Sequence, residues 1–102
     1  MKMYICVKSS TPVGMAMNAV GHAGLMCYLK YKDTPNMQTW LEKSFKKVTC
    51  AVSDAEYHFL KQLPDHIVVT ESRLDNAELA IVLAPRSASD LPEWVSMLKL
   101  WK

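Results

Sequence analysis

The sequence predicts an α/β protein in which two layers of helices enclose a four-stranded mixed sheet. Two continuous apolar segments, MYICV at 3–7 and AIVL at 80–83, are typical of central strands that are covered on both faces. Helix-start signals lie between the predicted strands, and the last two strands are separated by a segment too short for a crossover helix. The predicted order of elements is β-α-α-β-α-β-β-α, in a single domain spanning residues 1–102.

The first crossover contains two helices. In both Thr11-Pro12 and Thr34-Pro35, an N-cap threonine precedes a proline at the first helical position. Threonine accepts a hydrogen bond from a free backbone N–H, and proline has no N–H that would need a partner. The predicted helices are 12–30 and 35–44.

The second half of the chain supplies the flanking strands and the other helical layer. VTCAV at 48–52 and HIVVT at 66–70 are apolar with polar ends, which favours strands at the sheet margins. Ser53 and Glu56 form an S-x-x-E capping box that starts a third helix, and Pro64 follows it.

A turn at Asp75 and Asn76 joins the third and fourth strands as antiparallel neighbours. A last helix is expected to begin near Asp90 and Pro92. Its apolar positions at helical spacing are Leu91, Val95, Leu98 and Trp101.

Composition limits the class of protein. The net charge of +2 does not by itself indicate nucleic-acid binding, and no apolar run is long enough to cross a membrane. The first residues are typical of a strand rather than a signal peptide, so a cytoplasmic location is expected. The three cysteines are widely spaced in apolar segments, which favours buried free thiols over disulfides or a zinc site. No metal or cofactor is expected.

Asn18 and His22 are the only polar side chains between Pro12 and Cys27, and a spacing of four places them on one helical face. They could satisfy neighbouring backbone groups as a buried polar bridge, or face a cleft at the carboxyl ends of the strands. Alanines at helical spacing, together with Gly21 and Gly24, predict that another face of this helix packs closely on the sheet.

The segment Met-Ala-Met-Asn-Ala-Val-Gly-His-Ala, after a strand that ends in Val7-Lys8, resembles the type II peptidyl-tRNA hydrolase superfamily. The strand–loop–strand segment from Ile67 to Pro85 is also similar to that family. An uncharacterised branch is the most similar, because its Asn-Ala…His helix and Leu-Trp ending are matched here by Asn18, Ala19, His22, Leu100 and Trp101. The resemblance implies this fold and a substrate related to tRNA.

The chain departs from the hydrolase motifs that the resemblance brings with it. The family's lysine at the start of the first helix is replaced by the run Val13 to Met17, and its Asp-x-Gly-x-Thr loop by Glu71 to Asn76. Loss of an oxyanion donor costs about 3 to 4 kcal/mol of transition-state stabilisation. The resemblance therefore implies a binding protein that lacks the full hydrolase motif, with an esterase acting on acylated RNA as the alternative.

If chemistry survives, the candidate catalytic residues are Lys8 and Glu71, expected on neighbouring strand ends, and His22 as a base. Lys8 and Glu71 could instead form surface salt bridges, Glu71 with Arg73 or Lys8. The candidate ligand-binding residues are Asn18, Thr70 and Ser72. The possible ligands are a tRNA or a small molecule.

A homodimer is also predicted, because the chain has three tryptophans and aromatic residues favour interfaces. Trp94 and Trp101 are expected on one side of the last helix.

Overall fold

A computed structural model describes residues 1–102 and contains the predicted four-stranded mixed sheet. The strands are β1 (Lys2–Lys8), β2 (Lys46–Val52), β3 (His66–Glu71) and β4 (Ala77–Arg86). Their order is β2-β1-β4-β3, with β1 parallel to β2, and with β4 antiparallel to both β1 and β3. The two strands predicted to be central, β1 and β4, occupy the middle of the sheet, where both faces are covered.

Four α-helices flank the sheet, in the predicted order. They are α1 (Val13–Tyr31), α2 (Pro35–Thr39), α3 (Asp54–Leu60) and α4 (Glu93–Ser96). A π-helical turn at Trp40–Ser44 extends α2, so these two segments together cover the predicted helix at 35–44. Two of the three predicted N-caps are confirmed: Thr34 accepts from the backbone of Met37, and Ser53 forms the reciprocal capping box with Glu56. The prediction for Thr11 is wrong, because α1 begins at Val13 with Pro12 at the N-cap position and no side-chain cap hydrogen bond.

The connection between β3 and β4 is the predicted turn. Asp75 and Asn76 both adopt left-handed backbone angles, with φ of 54° and 59°, which aspartate and asparagine tolerate better than most residues. This turn makes β3 and β4 antiparallel neighbours. Since β4 then lies between β1 and β3, the expectation that Lys8 and Glu71 end neighbouring strands is wrong.

The face of α1 that packs on the sheet is small and apolar. Its buried residues are Ala16, Ala19, Ala23 and Cys27, and they contact a cluster that includes Ile5 and Val82 on the central strands. The interpretation of the glycines is wrong: a Cβ at Gly21 or Gly24 would meet nothing within 4 Å. The alanines alone therefore allow the close packing of α1.

The opposite face of the sheet carries the second helical layer. Tyr57 and Leu60 of α3, with Val95 of α4, pack against Cys6 and Ile81. The three cysteines are buried and free, as predicted, and burial raises the pKa of the Cys27 thiol to about 11. No helix has the length and apolar character that a membrane span requires.

The end of the chain differs from the prediction. The helix α4 ends at Ser96, and the segment that follows it runs antiparallel to the edge strand β2. The backbone carbonyl of Lys99 accepts from the N–H of Ala51 at 2.8 Å, and the N–H of Trp101 donates to the carbonyl of Thr49 at 3.0 Å. An edge strand has unpaired backbone groups, and these bonds satisfy some of them. Consequently Trp94 and Trp101 do not share a helical face.

Candidate functional site

A hollow of about 610 Å³ opens between α1 and the segment that follows β3. The alanine face of α1 docks on the sheet, so the polar positions one turn apart on the same helix are turned towards the carboxyl end of β3. The hollow is lined by Met15, Asn18, His22, Glu71, Ser72, Arg73, Leu74 and Leu79.

The central contact of this hollow joins α1 to β3. Nε2 of His22 lies 2.8 Å from Oε2 of Glu71, 49 positions later in the chain. Because a carboxylate can only accept, Nε2 carries the proton of this hydrogen bond and Nδ1 remains available. The contact forms a carboxylate–imidazole pair of the kind that orients and stabilises a histidine acting as a base.

Glu71 is held from two sides. Its Oε2 accepts from His22, and its Oε1 accepts from the backbone N–H of Arg73 at 3.2 Å. The hydrogen bond from His22, followed by that from Arg73, holds the pKa of the Glu71 carboxyl below its ordinary value. The side chain of Glu71 is 19% exposed and that of His22 is 45% exposed, so the carboxylate lies deeper than the imidazole. Glu71 therefore stays ionised in the hollow at neutral pH.

This contact predicts how stability depends on pH. A carboxyl group with a lowered folded-state pKa stabilises the native state above its unfolded pKa, and this contribution is lost as pH falls through the lowered value. We expect the free energy of unfolding of the native chain to fall more steeply below pH 4.5, the ordinary pKa of Glu71, than that of Glu71→Gln. Urea unfolding of both proteins between neutral and acidic pH measures this. Parallel curves would contradict the role assigned to the His22–Glu71 contact.

Asn18 lies one turn before His22 and lines the same hollow. Its side chain is exposed and forms no hydrogen bond with the protein. The buried polar bridge that the sequence left open is therefore absent, since His22 pairs with a carboxylate near solvent and the amide of Asn18 faces the opening. The amide is free to bind a ligand through both its N–H and its C=O groups.

Lys8 lies on the other face of the sheet. Its ammonium is 3.7 Å from Oδ1 of Asp54 and 4.6 Å from the ring centre of Tyr57. It lines a separate hollow beside α3, of about 450 Å³. Thus the structure brings His22 and Glu71 together but not Lys8, because β4 separates β1 from β3 and Lys8 pairs with the start of α3.

Of the other two predicted ligand-binding residues, only one lies in the hollow. Ser72 lines the hollow, whereas Thr70 does not. Side chains alternate along a strand, so Thr70 points away from the face that Val69 and Glu71 share. Its partner in register on β4 is Glu78, whose carboxylate accepts from Tyr57 beside α3.

Sequence reasoning missed the cation and the apolar wall of this hollow. The sequence suggests Arg73 only as a salt-bridge partner of Glu71, but the bond between them comes from the backbone N–H of Arg73. Arg73 lines the hollow, and its side chain forms no ion pair within 4.0 Å. Met15 and Leu79 form part of the wall, and for Met15 the signal was its position three residues before Asn18 on the helix.

No third His, Cys, Asp or Glu side chain is placed to hold a metal ion with His22 and Glu71. The groups available are an imidazole–carboxylate pair, an amide, a hydroxyl and a guanidinium. These groups can hydrogen-bond a polar ligand and neutralise an anionic one.

Comparison with known proteins identifies the family of the chain. The family model described as Peptidyl-tRNA hydrolase PTH2 matches residues 1–101. Comparison of the chain with curated proteins gives no match. The match spans the strand β1, the His22 helix and the segment around Glu71, so the chain belongs to the peptidyl-tRNA hydrolase PTH2 family.

Proposed function

We propose that this chain is a binding member of its family, which holds the acylated end of a tRNA in the Asn18–His22–Glu71 hollow without the full hydrolase machinery. The observation that supports binding is Arg73, a cationic residue that lines the hollow and forms no ion pair with a carboxylate of the protein. It can neutralise a phosphate of an RNA end, while the amide of Asn18 offers a donor and an acceptor to a base, ribose or peptide.

Two observations support the proposal that the full hydrolase machinery is missing: the residues at the start of α1 and the position of Lys8. The residues that the family resemblance places at the lysine motif are Val13 to Met17, and they include no cation. Lys8 does not replace the missing ammonium, because it is held beside Asp54 on the other face of the sheet. An ester bound in the hollow would lack a lysine donor for its developing oxyanion.

A second candidate function is slow ester hydrolysis, and the His22–Glu71 contact of 2.8 Å favours it. With its Nε2 proton directed at Glu71, His22 could accept a proton from water through Nδ1. Loss of the carboxylate would remove both the orientation of the ring and the stabilisation of the imidazolium. In that case Glu71→Gln should lower the rate of ester cleavage at least about tenfold.

One experiment separates the two functions. An N-acetylated aminoacyl-tRNA is mixed with excess protein, and both the bound fraction and the release of the acyl group are followed over time. The binding function predicts a saturable complex, a higher melting temperature and no release above that of RNA alone. Release that depends on His22 and Glu71 would favour the esterase instead.

Arg73→Gln tests the contact that supports binding. We expect this variant to bind the tRNA about tenfold more weakly, as is typical when a hydrogen bond to a charged group is lost. Lys30→Gln is the matched control, because it removes the same charge from the far end of α1 and should bind unchanged. Equal affinity of Arg73→Gln and the native chain, or no complex with the native chain, would contradict the proposal.

A further inference from the structure

A second hollow, of about 550 Å³, lies at the opposite end of the sheet. Its walls come from the end of α1, the start of α2, the turn before β3 and the end of β4. The residues that matter for its chemistry are Tyr31, Asn36, Asp65, Arg86 and Asp90. Prolines at 35, 64 and 85 form part of the same wall, so the hollow combines apolar surface with a few charges.

Arg86 is the only buried charged residue of the chain, with 6% of its surface exposed. Its guanidinium is fixed by three hydrogen bonds to backbone carbonyls. Nε donates to Ala84 at 3.0 Å, and Nη2 donates to Pro64 and Asp65, each at 3.0 Å. These bonds tie β4 to the turn before β3 and hold the side chain in one orientation.

The third nitrogen of this guanidinium has no partner. An arginine carries one N–H on Nε and two on each terminal nitrogen, so the three carbonyls account for Nε and Nη2 while Nη1 keeps both of its donors. Every fully buried side-chain nitrogen and oxygen of the protein has a hydrogen-bond partner. Nη1 must therefore reach solvent, and the opening next to Arg86 is this hollow.

The charge of Arg86 is not neutralised by the protein. No carboxylate lies within 4.0 Å of it, since the ion pairs of the chain involve other residues. A buried charge is costly unless it is paired, and the three carbonyl acceptors compensate only part of this cost. An anionic group donated by a ligand would complete the environment of Nη1.

Two carboxylates in the wall narrow the choice of ligand. Asp65 and Asp90 line the hollow without contacting the guanidinium. Asp65 uses its backbone carbonyl for Arg86, and the carboxylate of Asp90 accepts from Ser87 Oγ at 3.2 Å. A ligand with negative charge alone would be repelled by these two residues, whereas a cationic group on the same ligand would be attracted.

We propose that this hollow binds an α-amino acid, with the ligand carboxylate on Nη1 of Arg86 and the ligand ammonium towards Asp65 and Asp90. The volume exceeds that of a small amino acid, and the prolines offer apolar contact to a side chain. The site is independent of the function proposed above, because β3 begins beside Asp65 and ends at Glu71, which separates the two hollows by the length of the sheet.

Three related probes test the proposal on the unmodified chain. Leucine carries both charges, leucinamide keeps the ammonium without the carboxylate, and 4-methylpentanoate keeps the carboxylate without the ammonium. Each is titrated into ¹⁵N-labelled protein while the Arg86 side-chain N–H and the amides around Asn36 and Asp65 are observed. Leucine should give saturable shifts confined to these groups, whereas 4-methylpentanoate and leucinamide, which each keep only one of the two charges, should both give weaker shifts.

A second test changes the charges of the wall and leaves Arg86 in place, because replacing Arg86 could itself disturb folding. The double change Asp65→Asn with Asp90→Asn preserves size and, at Asp65, a residue type that accepts the φ of 55°. It should remove the preference for leucine over 4-methylpentanoate. Asp75→Asn, also at a left-handed position, is the control and should keep this preference.

The same measurements define the contrary results. Unchanged spectra with leucine would mean that Arg86 only fastens the turn to β4. Equal shifts with leucinamide, or a preference for leucine that survives the double change, would also overturn the assignment.

Discussion

The substitution Leu83→Ala should lower the free energy of unfolding by about 3 to 5 kcal/mol. Leu83 lies in the central strand β4 with none of its surface exposed, opposite Tyr4 of β1 and His66 of β3. Its side chain belongs to the cluster under α3 and α4, which cannot collapse easily onto a cavity because the sheet supports it from behind. Urea unfolding followed by circular dichroism measures the change.

Leu29→Ala is the matched control. Leu29 lies on α1 with 57% of its surface exposed, so the same atoms are removed where they contribute little burial. We expect this variant to stay within about 0.5 kcal/mol of the native chain. A loss at Leu83 no larger than that at Leu29 would contradict the two-layer packing, since it would mean that β4 is not covered by the second layer.

The sheet was predictable because short segments of the sequence are enough to identify its central strands. MYICV and AIVL are continuously apolar, and only a strand covered on both faces needs that pattern. The turn at Asp75 and Asn76 was predictable for the same reason, since these residues tolerate the backbone angles that it uses. These features depend on short segments and on no distant partner.

The end of the chain could not be predicted in this way. Leu91, Val95 and Leu98 follow a helical spacing, and Val95 and Leu98 are indeed buried, yet the helix stops at Ser96. The edge of β2 competes for the residues beyond it, and backbone hydrogen bonds to Thr49 and Ala51 favour an extended segment. A spacing pattern contains no information about a free strand edge elsewhere in the sheet.

The candidate site was only partly predictable, because part of it depends on local spacing and part on the order of the strands. The helical spacing of Asn18 and His22 fixes their common face, and the hollow contains both. The pairing of His22 with Glu71 depends on the order of the strands, as does the separation of Lys8 from them. The alternation of side chains along β1 also turns Lys8 to the face that α3 covers, so the lysine lines another hollow.

The substitution Ala19→Leu should destabilise the chain by about 1 to 3 kcal/mol, even though leucine is a good helix former. Ala19 lies in the middle of the α1 face that docks on the sheet and has none of its surface exposed. Three added carbons have to push α1 away from β1 and β4, since interiors are close-packed. Because the His22–Glu71 contact bridges α1 and β3, the hollow should widen as well, and a shift in the His22 ring signals by NMR would report it.

Gly21→Ala is the control that separates this effect from a general change in α1. Gly21 is exposed, and an added Cβ would meet nothing within 4 Å, so the change should stabilise the helix by about 0.5 to 1 kcal/mol. Both measurements use the same urea titration as above. If Ala19→Leu were neutral, or Gly21→Ala as damaging as Ala19→Leu, the docked face of α1 would be the glycine side. The orientation of Asn18 and His22 towards the hollow would then be lost, because both are fixed by the rotation of this one helix.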